Sequence, residues 1–203
     1  SDLTFPGVID PGTERSNPVL VSDLDGNFYY ISLTWIWTPE LSFWSNVFKS
    51  SDNGATWDTG TYAQGGDKHW MIVDTTQGIG KGNIYVNWTQ EYGSCSPGSF
   101  TRSVNGGVSF DGCDPVPGEP NWGTLAVGPD GELYVCGMDT SGANFIVAKS
   151  SNAQDSAQVV SWDTSITVYL DGYMVAFTNF NAYGLLGQAW IAVDFSSGVN
   201  KGN

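Results

Sequence analysis

Basic side chains are scarce in this sequence. Of 203 residues only 7 are Lys or Arg, against 21 Asp or Glu, a formal net charge of −14. Arginine occurs at Arg15 and Arg102 alone, and histidine only at His69. Neutralising phosphates takes clustered Lys and Arg, so nucleic acid and anionic lipid are not expected partners. One histidine and three scattered cysteines (Cys95, Cys113, Cys136) do not compose a zinc site, and no metal site is expected. No apolar run approaches the ~20 residues needed to span a bilayer, so membrane insertion is not expected either. Long stretches of 3.6-residue periodicity are missing too, which argues against helices. The chain has instead 40% hydrophobic and 14% aromatic residues, with 26 glycines and 9 prolines. That is the composition of short core-forming strands punctuated by turns.

Internal repetition carries the organisation. Asn17 to Tyr29 and Asn121 to Tyr134 both read as an apolar strand, an Asp-Gly turn and a second strand with an aromatic residue. Asp-Gly between apolar runs is a hairpin signal, because the turn requires positive φ. A longer version runs from Trp70-Met-Ile-Val-Asp74 to Lys81-Gly-Asn83, and again from Trp190-Ile-Ala-Val-Asp194 to Lys201-Gly-Asn203. A second element follows each of the first three hairpins: Ser50-Ser-Asp52-Asn-Gly54-Ala-Thr56-Trp57, then Ser103-Val-Asn105-Gly-Gly107-Val-Ser109-Phe110. A third copy begins at Ser150-Ser-Asn152, with extra residues before Ser161-Trp162. Its first serines are 53 and 47 residues apart, about the length of a four-stranded propeller blade.

These boxes resemble the Asp-box, or BNR, repeat of sialidase-like β-propellers. The resemblance implies an all-β fold, a β-propeller of four-stranded antiparallel blades with Asp-box turns between the third and fourth strands. The repeats fall at about 17–60, 69–112 and 121–163, with a fourth starting at about 188. The residues of the boxes are expected to hold turns: the Asp or Asn accepts backbone N–H bonds, and Gly54 adopts positive φ without penalty. Trp57 is expected to pack between sheets.

In such a blade the first and third turns share one face, and the connections between blades share the other with the second turn. A functional pocket is expected among the latter. The candidate pocket residues are Glu14, Arg15, Asn17, Asp67, Lys68, His69, Glu91, Trp122 and Gln188, with Glu40, Tyr92, Glu119, Asn121, Asp139 and Trp190 in the same loops. Carboxylates, amides and aromatics together suit a carbohydrate site. Catalysis is less well provided for. The resembled family implies an arginine triad, which two arginines cannot supply, and no catalytic pair of carboxylates can be assigned. No cofactor is expected other than calcium, which stays open because Asp- and Asn-rich loops suit it; its ligands are not assignable, since Asp23-Leu-Asp25-Gly-Asn27 lacks EF-hand spacing and reads as a hairpin turn.

Cys95 falls in a loop after the second strand of its repeat and Cys113 just past the fourth, at one end of the same hairpin. A disulfide between them is expected, with Cys136 a buried strand thiol. That pairing favours an oxidising, extracytoplasmic setting: secreted, periplasmic or at the cell surface. Closed propellers have about four to eight blades, and this sequence supplies three and the start of a fourth. The expectation is therefore the N-terminal part of a larger propeller, or one completed by a further chain. It either binds or hydrolyses carbohydrate, or serves as a non-catalytic scaffold docking to partner proteins.

Overall fold

The computed structural model describes residues 15–36, 42–90, 93–169, 171 and 188–203. Among these residues there is no helix, hence none long and apolar enough to cross a membrane. The strands form three antiparallel sheets. The first contains β1 (Arg15–Ser22), β2 (Phe28–Ile36), β3 (Ser42–Ser50) and the two-residue β4 (Thr61–Tyr62) in chain order. The second contains β5 (Asp67–Val73), β6 (Ile84–Thr89) and β7 (Phe100–Ser103), with an isolated bridge from Phe100 to Asp114 in place of a fourth strand. The third contains β8 (Leu125–Val127), β9 (Leu133–Met138), β10 (Asn144–Ser150) and β11 (Thr164–Tyr169). β11 lies beyond the third repeat as read from the sequence, and it pairs with β10 along six residues.

Strand alternation makes β6 the centre of the core. Successive side chains leave a strand on opposite faces, so Ile84, Val86 and Trp88 enter a cluster with Val19, Tyr29, Ile31, Met71 and Val73 of the first two sheets. Tyr85 faces the other way, joining Phe100, Leu125, Val127, Leu133 and Val135. All six residues of β6 are buried, as expected of a strand covered on both faces. The inner strands β1, β5 and β8 pack side by side. With Trp190 to Val193 they line an apolar cleft of about 370 Å³, across which the Trp70 and Trp190 rings meet edge-on at 5.1 Å.

The repeated turns have one geometry. In the first, Thr56 N–H donates to Asp52 Oδ1 at 2.8 Å, the Thr56 hydroxyl to Oδ2 at 2.6 Å, and Gly54 N–H to Ser50 Oγ at 2.9 Å. These Thr56 bonds, with one from the Ser50 hydroxyl, hold the Asp52 carboxyl at a pKa of about 2. In the second, Ser109 N–H donates to Asn105 Oδ1 at 3.0 Å and Gly107 N–H to Ser103 Oγ at 2.9 Å. In the third, Ser161 N–H reaches Asn152 Oδ1 at 2.8 Å across the inserted residues. The Trp57 ring, half-buried, meets Tyr30 of its own sheet edge-on at 6.1 Å.

The longer hairpins also match bond for bond. Thr76 N–H donates to Asp74 Oδ1 and Ser196 N–H to Asp194 Oδ1, both at 2.7 Å, while Gly82 and Gly202 N–H return to the Asp74 and Asp194 carbonyls at 2.9 Å. Their lysines link neighbouring repeats: Lys81 to Asp25 at 3.2 Å and Lys201 to Asp130 at 3.9 Å. Both pairs are exposed and contribute at most about 1 kcal/mol each. Arg102 is different. Its side chain is 5% exposed and donates to the carbonyls of Ala153, Asp155 and Gln158 at 2.7, 2.9 and 2.6 Å, and to Asp111 Oδ2 at 2.9 Å. One guanidinium thus fastens the second sheet to the third turn. Arg102→Met leaves three carbonyls without their donor and is expected to lower stability by about 3 kcal/mol or more. The check is the urea midpoint at constant slope; an unshifted midpoint would show the clamp to be dispensable.

Candidate functional site

At the end of the sheets opposite these turns, each inner strand is entered through a residue in the left-handed region: Asn17 (φ 50°), Lys68 (φ 53°) and Trp122 (φ 49°). The pairing register shifts there, between Ser16 and Val19 in β1 and between Asp67 and Trp70 in β5. Such bulges re-aim side chains, here at a conformational cost on the order of 1 kcal/mol each. The loops are tied across repeats. Asn17 Nδ2 and Lys68 N–H both donate to Asp67 Oδ1, at 3.3 and 2.8 Å; Trp122 N–H donates to Thr89 Oγ1 at 3.0 Å, and Ala189 N–H to the Trp122 carbonyl at 3.0 Å.

Two pockets open among these loops. A small one of about 110 Å³ gathers Asn17, Lys68, His69 and Gln188 with Pro18, Val19 and Trp70. Four candidate residues from three repeats therefore meet, and Asp67 adjoins them through its bonds to Asn17 and Lys68. His69 is 2% exposed, with Nδ1 at 2.9 Å from Ser45 Oγ. Its Nε2 has no partner of good geometry among the described residues. Burial drives its pKa down to about 4, opposed by the Asn17 carbonyl. The ring is therefore neutral near pH 7.

The second pocket, about 390 Å³, is lined by Thr89, Gln90, Glu119, Asn121, Trp122 and Thr140. The Glu119 carboxylate, the Asn121 amide and the Thr140 hydroxyl make no hydrogen bond to the described residues, whereas Thr89 Oγ1 accepts from Trp122 N–H and the Gln90 amide donates to Ser96 Oγ at 3.5 Å. Glu119 also stands at φ 50°, behind Gly118 at φ 83°. Of these residues Trp122, Glu119 and Asn121 belong to loops that sequence reasoning selected. Thr89, Gln90 and Thr140 were missed; the available signal was their adjacency to Glu91 and Asp139.

Other candidates lie elsewhere. Arg15 turns away from the pockets into its own sheet, donating to Thr34 Oγ1 at 2.8 Å and Asn46 Oδ1 at 3.2 Å, with its guanidinium 5.1 Å from the Phe48 ring centroid. The strand's pleat, not the loop's position, decides that direction. Asp139 holds its own turn, accepting from the Ser141 hydroxyl and from Asn144 Nδ2, both at 2.7 Å. Glu14, Glu40, Glu91 and Tyr92 lie outside the described residues. Asp23 uses its carboxylate on Asn27 and Tyr29, and among the described residues no three His, Cys, Asp or Glu side chains group as metal ligands. Cys95 and Cys113 are joined by a disulfide; Cys136 is free and buried, and burial raises its pKa.

No protein-family model matches this chain, and no curated protein matches it. Among solved structures, a protein of unknown function from Dyadobacter fermentans DSM 18053 superposes with a TM-score of 0.54 at 17% identity. The match covers 76% of this chain and 52% of the other, so the chain spans about half that protein's length. At this identity the likeness concerns the fold alone.

The buried His69 generates a pH prediction. The unfolded chain binds its proton near pH 6.5 and the folded chain only near pH 4. Acidification therefore favours the unfolded state: the stability contributed by neutral His69 is complete above pH 6.5 and is lost as pH falls towards 4, by roughly 3 kcal/mol. Denaturation midpoints between pH 7 and 4 should fall less steeply in His69→Gln than in the parent. Equal slopes would assign the acid sensitivity to other groups.

Proposed function

We propose that this chain belongs to a sialidase-like Asp-box propeller outside the cytoplasm and that it binds carbohydrate. The observation that carries the reading is the 390 Å³ cleft, whose lining offers the Glu119 carboxylate, the Asn121 amide, the Thr140 hydroxyl and the half-buried Trp122 indole. Sugars present hydroxyls to such groups and apolar ring faces to aromatic surfaces. The propeller reading draws support from three antiparallel sheets with adjacent inner strands and from turns whose hydrogen bonds repeat from sheet to sheet. The Cys95–Cys113 disulfide fits an oxidising compartment. Binding is preferred to hydrolysis because Glu119 is the one carboxylate lining the cleft among the described residues, and glycoside hydrolysis uses two.

A docking role is a second reading, favoured by β11. All six of its residues are exposed, including Ile166 and Tyr169, leaving a strand edge open to another sheet.

Calorimetric titration with a panel of neutral oligosaccharides tests the carbohydrate reading. At least one is expected to bind, and Trp122→Ala to weaken it by about tenfold, the equivalent of a lost aromatic contact. A panel with no binder, or binding indifferent to Trp122→Ala, would count against the cleft.

A further inference from the structure

The charge of the ligand follows from an account of the chain's seven cations. Arg15 is held within its own sheet and Arg102 on the third turn. Lys81 and Lys201 face Asp25 and Asp130 on the turn side. Lys49 and Lys149 lie over the rings of Tyr29 and Tyr134, at 5.4 and 5.5 Å. The seventh, Lys68, lines the smaller pocket and not the cleft. The cleft thus contains the Glu119 carboxylate and no positive side chain. A uronate or other acidic sugar would place its carboxylate against Glu119 with nothing to neutralise either charge.

We propose that the cleft selects an amino sugar, its ammonium group paired with Glu119 and its hydroxyls with Asn121 and Thr140; this rests on the carbohydrate reading above. Glu119 is suited to that role because its carboxylate has no competing partner among the described residues. The field of a chain with net charge −14 acts in the same direction, drawing cations towards the site. Glu119 acts here as a binding residue, and no bond is made or broken.

The test compares β-1,4-linked tetramers by calorimetry: glucosamine, its N-acetylated form, glucose, and galacturonic acid as the anionic probe. The intact chain is expected to bind the glucosamine tetramer roughly five- to tenfold more tightly than either neutral tetramer, and the galacturonate most weakly. Raising the salt from about 0.05 to about 0.5 M should narrow the gap. In Glu119→Gln the glucosamine-to-neutral ratio should fall to about one. A ratio that survives Glu119→Gln would assign the preference to the overall charge and overturn the pairing. Equal affinities in the intact chain, or tightest binding of the galacturonate, would overturn the selectivity while leaving carbohydrate binding in place. Failure of all four tetramers, with binders elsewhere in the neutral panel, would likewise overturn the amino-sugar assignment alone; failure of the entire panel would remove both readings.

Discussion

Three side-chain oxygens govern this molecule: Oδ1 of Asp52, of Asn105 and of Asn152. Each accepts the N–H that closes a turn between strands or after a sheet's third strand, and each is steadied by a serine hydroxyl two residues earlier. These bonds lie at the surface, so their effect is to fix the conformation of the turn, not to rescue buried N–H groups. Supplying that acceptor from the same short segment makes the turn independent of its neighbours. The same unit can then be repeated along a chain, with an insertion tolerated in the third copy so long as Ser161 returns to Asn152.

The consequence is a division of labour between the two ends of the sheets. At the turn end, polar groups are matched to each other: the Asp74 and Asp194 hairpins, the lysine links and the Arg102 clamp all sit there. At the loop end the inner strands begin in left-handed residues and bulges, which redirect side chains outwards from the sheet. There the Glu119 carboxylate, the Asn121 amide and the Thr140 hydroxyl remain without partners among the described residues. Scarcity of cations sharpens the contrast, since six of the seven are held at the turn end or within the sheets. The loop end therefore presents carboxylate, amide, hydroxyl and indole groups without a cation in the larger cleft, the set on which the proposed binding of neutral or positively charged polyols rests.

Local chemistry was legible in the sequence and long-range placement was not. The spacing Ser50, Asp52, Gly54, Thr56 specifies its own hydrogen bonds, so the turn and its two variants could be read directly. The Asp74–Lys81 and Asp194–Lys201 spacings marked equivalent hairpins for the same reason. The Cys95–Cys113 pairing followed from which end of a hairpin each cysteine occupies. The residues that escaped depend on partners distant in the chain. β11 exists because β10 offers a free edge, a fact absent from the residues Thr164 to Tyr169 themselves. Arg15 has the position of a pocket residue but the pleat turns it towards Thr34 and Asn46. The loop candidates Asn17, Lys68, His69 and Gln188 do converge, yet the larger cleft forms one repeat further on, around Trp122, and takes Thr89, Gln90 and Thr140 from loops whose nearest carboxylates drew the attention.

Hydrogen exchange followed by mass spectrometry, with and without a saturating bound oligosaccharide, addresses the division between the two ends most directly. The account predicts added protection in peptides covering Thr89–Gln90, Glu119–Trp122 and Thr140, with exchange in Ser50–Trp57, Ser103–Phe110 and Ser150–Ser161 unchanged. Protection concentrated in the repeated turns, with the loop end unaffected, would contradict it.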